Sequence, residues 1–193
     1  MNQLLVGIFV GGGGRRLGGV AKGLLKAPGS EATLIERLLG ELRDAVPLAP
    51  IVLVGRAEAY GALSLPALAD NPPGVGPLGG AISLFEEAQR RNLRSVLALT
   101  CDLPRVGSAL LARLASEAPH AAALVTTQQG VRNPLVARYA AAAALTAARE
   151  ALQKNFRSVQ SVLDALNGGV MTLTQTTAEE SSLADWDEPS DLT

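Results

Sequence analysis

The chain has 193 residues, with 17 Lys+Arg against 18 Asp+Glu, one Cys, one His and a formal net charge of −1. That length points to one domain with ample chain to bury a core. The near-neutral balance, with a pI near 5.9, excludes a protein whose main task is neutralising nucleic-acid phosphates or coating an anionic membrane. Lone Cys101 and lone His120 exclude an intramolecular disulfide and Cys/His zinc clusters, and any Ser-His-Asp triad would run through that one imidazole.

Leu4 to Val10 is a continuous apolar run stopped by four glycines, the pattern of a strand buried on both faces of a parallel sheet. Ala32 to Val46 carries Leu34, Ile35, Leu38, Leu39 and Leu42 at three- and four-residue spacing and ends at Pro47, which predicts an amphipathic helix. Ile51 to Gly55 repeats the buried-strand pattern. A Pro/Gly-rich loop from Asp70 to Gly80 leads into a second helix through Arg91, and Ser95 to Thr100 gives a third strand. Beyond it the spacing predicts a helix over Ser108 to Glu117, a strand over Ala122 to Thr127 and a short extended piece over Asn133 to Tyr139. An Ala-rich helix to Gln153, another from Arg157 to Leu166 and a strand from Val170 to Leu173 complete the series.

Alternating buried strands and helices predict a three-layer α/β fold with right-handed crossovers. In such sheets ligands sit at the carboxyl ends of the strands. Three loops occupy those ends: Gly11 to Lys22, Asp70 to Gly80 and Cys101 to Pro104. No apolar run approaches the roughly 20 residues of a membrane span, and the start lacks the basic region of a secretory signal, so a reducing cytoplasm is expected.

In the first loop, glycines let the backbone approach an anion with consecutive N–H donors, while Arg15, Arg16 and Lys22 supply charge suited to a triphosphate. A flexible glycine turn with solvated cations is the alternative, and the position straight after a buried strand favours phosphate. Gly13 to Gly18 has Walker A spacing with Gly19 in place of the lysine, and a G-x-G-x-x-G pattern at Gly74 to Gly79 is disturbed by Pro72, Pro73 and Pro77. Asp102 has two readings, a cap for the following helix or a carboxylate holding Mg²⁺ against phosphates. Cys101 reads as buried filler and His120 as a structural residue.

The run Gly11-Gly12-x-x-Arg15-Arg16-x-Gly18-Gly19-Val20-x-Lys22-Gly23-Leu24-Leu25, followed by Gly76-Pro77-Leu78-Gly79-Gly80, Cys101-Asp102-x-Pro104, Asn133-Pro134-Leu135 and Asp185-Trp186-Asp187-Glu188-Pro189, resembles the MobA family of molybdenum cofactor guanylyltransferases. The resemblance implies a Rossmann-like nucleotidyltransferase fold with a mostly parallel sheet, in one domain over residues 1–193. It further implies transfer of GMP from Mg-GTP to the terminal phosphate of molybdopterin, with release of pyrophosphate. Residues from 1 to about 105 would hold the nucleotide and the remainder the pterin.

By the same resemblance Phe9, Val10, Gly11, Gly12 and Gly13 line the nucleotide, Lys22 contacts phosphates, Asp70 helps to bind GTP, and Asp102 binds Mg²⁺. Arg16, Lys22 and Asp102 are the expected catalytic groups, and Arg132, Asn133 and Arg157 match the pterin side. Transient contact with molybdoenzymes or cofactor-insertion proteins is implied, with no nucleic acid or membrane as partner. A cytidylyltransferase for the same pterin, a transferase acting on another small phosphate, and a nucleotide-binding module without turnover are the alternatives. The chain departs from the family at Ala21, where an Asp is usual, and at Asp185 and Asp187, where Asn is usual.

Overall fold

A computed structural model describes residues 3–11 and 21–184. Arg15, Arg16, Gly12, Gly13 and the closing motif with Asp185 and Asp187 lie outside the described residues. Seven strands form one sheet: β1 (Leu4–Phe9), β2 (Ile51–Val54), β3 (Ala67–Leu68), β4 (Ser95–Thr100), β5 (Ala123–Gln128), β6 (Val131–Ala140) and β7 (Val170–Thr172). Their spatial order is β3-β2-β1-β4-β6-β5-β7. β6 runs antiparallel to β4 and β5, and the other pairings are parallel.

The helices are α1 (Leu34–Ala45), α2 (Pro77–Arg90), α3 (Ser108–Ser116), α4 (Ala141–Gln153), α5 (Gln160–Leu166) and α6 (Thr177–Ser182). Side chains on a strand alternate between faces, and β1 divides its apolar run accordingly. Leu5 and Phe9 join the core under α2, α4 and α5. Leu4, Val6 and Ile8 join a second core with α1 and α3. The expected three layers follow from these two cores.

Gly7 lets α2 lie close to the sheet, because a Cβ there would stand 2.3 Å from a methyl of Leu84. α1 starts with a capping box in which Thr33 accepts from the Glu36 amide and Glu36 accepts from that of Thr33. No helix among the described residues is long and apolar enough to cross a membrane.

Several elements differ from the sequence expectation. The short extended piece is a ten-residue strand, β6, inserted antiparallel inside the sheet. A register shift opposite Val125 and Thr126, with Pro134 unable to donate to a ladder, hides its strand pattern. The second helix begins at Pro77, inside the predicted loop, because Pro suits the first helical turn. α5 begins at Gln160 rather than Arg157. β3 and α6 were not expected, although Thr176 and Glu179 form a second capping box that the sequence displays.

Arg138 is buried within β6 at 2% exposure. Its Nη2 donates to the carbonyls of Glu117 and Ala118 just past α3, so the guanidinium satisfies carbonyls at a helix C-terminus. Burial lowers its pKa.

Candidate functional site

The carboxyl ends of β1, β2, β3 and β4 lie at one sheet edge and carry the residues the sequence singled out. β1 ends on Phe9, Val10 and Gly11. The Val10 amide donates to Val54 at 3.0 Å, and Phe9 accepts from the Cys101 amide at 3.2 Å, so the three strand ends are tied together. Gly55, at φ +98°, crosses so close to Gly11 that a Cβ on it would meet the Gly11 backbone at 3.2 Å. Gly55 needs to be glycine for this approach.

Lys22 opens a one-turn 3-10 helix, Lys22–Leu24. Its Nζ donates to Asp102 Oδ2 at 3.3 Å, with the two side chains 21% and 14% exposed. Thr100 Oγ1 donates to Asp102 Oδ1. The capping reading of Asp102 is excluded, since α3 starts at Ser108 with Gly107 as its cap. The carboxylate is presented at the strand end, held by one hydroxyl and one ammonium.

Asp70 follows β3 and meets the N-terminal turn of α2. A Cβ at Gly80 would lie 3.1 Å from Asp70 Oδ1, 3.2 Å from the Phe9 ring and 2.7 Å from Val54. A Cβ at Gly79 would lie 2.6 Å from the Pro72 carbonyl and 3.2 Å from Asp70 Cβ. The Gly79-Gly80 pair therefore brings Asp70, Phe9 and the helix into contact that no larger residue permits. Gly74 to Gly79 spans an irregular loop and a helix start rather than a strand-to-helix turn, so it does not serve as a dinucleotide fingerprint.

The residues expected on the acceptor side surround α5. Arg157 Nη1 donates to the Gly74 carbonyl at 3.2 Å, and its own carbonyl accepts from Leu78 at 3.2 Å. This segment joins the second half of the chain to the loop before α2. Arg132 Nη2 donates to Asp164 Oδ1 at 2.6 Å, and Gln160 donates to the same oxygen. Asn133 Oδ1 accepts from the Leu135 amide, while Tyr139 donates to Pro134 and Thr126 to Val136. Arg132 and Asn133 line a cavity of about 260 Å³ with Gln128, Gln129, Val131 and Pro134. That cavity sits on the β5–β6 hairpin, which overhangs the edge bearing Asp102.

Two residues in the site had escaped the sequence reading. Thr100 aligns Asp102, and Tyr60, 2% exposed, reaches both Gly23 and Cys101. The strand end before Asp102 was a usable signal for Thr100, whereas nothing in the irregular stretch from Arg56 to Leu65 marks Tyr60. Burial raises the Tyr60 phenol and pushes the Cys101 thiol up to about 11. Such a thiol is protonated at neutral pH, in keeping with its reading as core filler. His120 is exposed.

Among the described residues no group of three or more His, Cys, Asp or Glu could hold a metal ion. A hard cation held by one carboxylate plus substrate phosphates and water needs no such group. Asp102 meets that requirement.

Comparison with known proteins matches this arrangement. The profile of the MobA-like NTP transferase domain covers residues 6–169. A Chloroflexus aggregans protein named "probable molybdenum cofactor guanylyltransferase" is 32% identical over 86% of this chain and 80% of its own. A molybdenum cofactor guanylyltransferase of Acidiphilium cryptum is 32% identical over 71% of this chain and 67% of its own. The crystal structure of molybdopterin-guanine dinucleotide biosynthesis protein A from Archaeoglobus fulgidus superposes with TM-score 0.71 at 26% identity, covering 97% of this chain and 94% of that one. With its mostly parallel seven-stranded sheet and Asp102 just past the end of β4, the chain belongs to the MobA-like NTP transferase family.

Proposed function

We propose that the protein transfers GMP from Mg-GTP to the terminal phosphate of molybdopterin, giving the guanine dinucleotide and pyrophosphate in a reducing cytoplasm. The observation that carries this reading is the Lys22–Asp102 pair, on the strand-end edge of the sheet that also carries Gly11 and Asp70. Relatives named guanylyltransferases over most of the chain support the choice of nucleotide and acceptor.

In the reaction an oxygen of the acceptor phosphate attacks the α-phosphorus of GTP. The bond from that phosphorus to the oxygen bridging to the β-phosphate breaks, and the electron pair leaves with pyrophosphate. The acceptor is already anionic, so no general base is required, which accords with a single exposed histidine. Most of the rate enhancement then comes from alignment and charge neutralisation. Lys22 binds phosphate oxygens as a compact cation, and Arg16 adds charge from the same loop. Thr100 keeps the Asp102 carboxylate aligned, and Asp102 would be the residue that holds Mg²⁺. Mg²⁺ supplies Lewis-acid stabilisation of the developing charge. Phe9, Val10, Gly11, Gly12, Gly13 and Asp70 enclose the nucleotide, while Arg132, Asn133 and Arg157 lie on the pterin side and bind the acceptor.

The test is incubation with Mg²⁺, molybdopterin and each of the four NTPs, followed by measurement of pyrophosphate and dinucleotide. GTP-dependent formation of both is expected. Product with CTP alone would replace the base assignment, and GTP binding without either product would overturn the enzyme reading.

A further inference from the structure

Tyr60 stands in a segment without regular apolar spacing, yet it is buried, at 2% exposure. A buried phenol needs partners for its hydroxyl. Its Oη accepts from the Gly23 amide at 3.2 Å and lies 4.0 Å from Cys101 Sγ. Gly23 follows Lys22 directly, and Cys101 precedes Asp102 directly. The hydroxyl thus touches the chain neighbours of both members of the ion pair.

The fit is tight at Gly23. A Cβ at Gly23 would lie 2.9 Å from Tyr60 Oη, 3.0 Å from its ring and 3.3 Å from Cys101 Cβ. The 3-10 turn carrying Lys22 has no side-chain hydrogen bond at its cap, and its backbone is docked on the phenol at Gly23. Tyr60 itself sits on a separate 3-10 element, Glu58–Leu63, which follows β2.

From this geometry we infer that Tyr60 is a positioning residue: its hydroxyl sets the separation of the Lys22 and Asp102 segments and so the placement of ammonium against carboxylate. The inference rests on the proposed function for its kinetic consequence, while its geometric content is independent of turnover. Misplacing a catalytic group by a fraction of an ångström from outside the site is costly, because alignment supplies much of the rate.

The experiment compares wild type with Tyr60→Phe, which deletes the hydroxyl and keeps the ring. Expected are a fall in kcat of about tenfold or more, a rise in the Mg²⁺ concentration giving half-maximal rate, and faster hydrogen exchange at the Gly23 amide. Tyr60→Phe/Lys22→Ala should turn over no more slowly than Lys22→Ala alone, since both act through one pair. Unchanged kcat and Mg²⁺ dependence with only a lowered Tm would overturn the inference, as would additive losses in the double variant. Should Tyr60→Phe fail to fold, Gly23→Ala displaces the same contact from the other side and is held to the same outcomes. Failure of the proposed reaction is seen separately, as wild-type protein that releases no pyrophosphate. In that case NMR of the Lys22 ammonium decides the matter: its coupling to Asp102 is expected in wild type and lost in Tyr60→Phe, and persistence in the variant overturns the inference.

Discussion

Lys22 Nζ donates to Asp102 Oδ2 across 80 residues of sequence, joining the turn after the glycine loop to the end of β4. Under the proposed function, this cation and carboxylate would compensate each other until phosphate and a metal ion take their place as partners. Lys22→Ala and Asp102→Ala are each expected to cut Mg-dependent turnover by about 10²–10³-fold. The pair is partly exposed, so stability should change by no more than about 1–2 kcal/mol. Circular dichroism melts beside pyrophosphate release check both halves, and wild-type rates in both variants would place the site elsewhere.

Gly80→Ala is expected to raise the KM for nucleotide and to destabilise the fold by about 1–3 kcal/mol. The added methyl would lie within 3.2 Å of Val54, Asp70 Oδ1 and the Phe9 ring together. A nucleotide titration and a denaturant midpoint measure the two effects. An unchanged KM would detach Asp70 and Phe9 from nucleotide binding.

Ala21 packs against the apolar cluster under α1 and α3. The acid usual in the family would therefore bring a carboxylate to the margin of a hydrophobic core beside Lys22. Ala21→Asp should cost roughly 1 kcal/mol, read as a lower Tm. Any gain in GTP affinity, measured by calorimetry, would show that the carboxylate finds Lys22 or the loop cations. If stability, affinity and rate all hold, the position is neutral in this chain.

Glu87 on α2 accepts from Arg90 and Arg91, and hydrogen bonding to Arg90 is foremost in lowering its pKa from 4.5 to about 2. A carboxyl whose pKa is depressed in the folded state contributes stability above its unfolded pKa and loses it as pH falls through the folded value. The urea midpoint should thus fall between pH 4.5 and 2 more steeply in wild type than in Glu87→Gln. Because Arg90 is 70% exposed, the difference should shrink in high salt.

The strands with unbroken apolar runs were legible residue by residue, with β4 coming out at Ser95–Thr100 as read. Loops after strands named Asp70 and Asp102 correctly as edge residues, because topology alone decides where strand ends go. β6 was underread since Pro134 and the shifted register interrupt its alternation. Arg138 and Tyr60 were invisible for a different reason: polar groups enter a core only where distant backbone atoms satisfy them, and those partners are set by tertiary packing. The pairing of Lys22 with Asp102 likewise depends on which strands become neighbours, here β1 and β4.

Because β6 runs against its neighbours, β5 ends and β6 begins at the same edge, and the turn at Gln129 and Gly130, both at positive φ, lies past the end of the ladder, where the Gln129 amide donates to Glu180 of α6. Length and composition at that tip can change without shifting register in the parallel pairings of β1 with β2 and β4. Under the proposed function the reversed strand separates two evolutionary problems, leaving acceptor recognition open to revision while the phosphate-handling edge stays fixed.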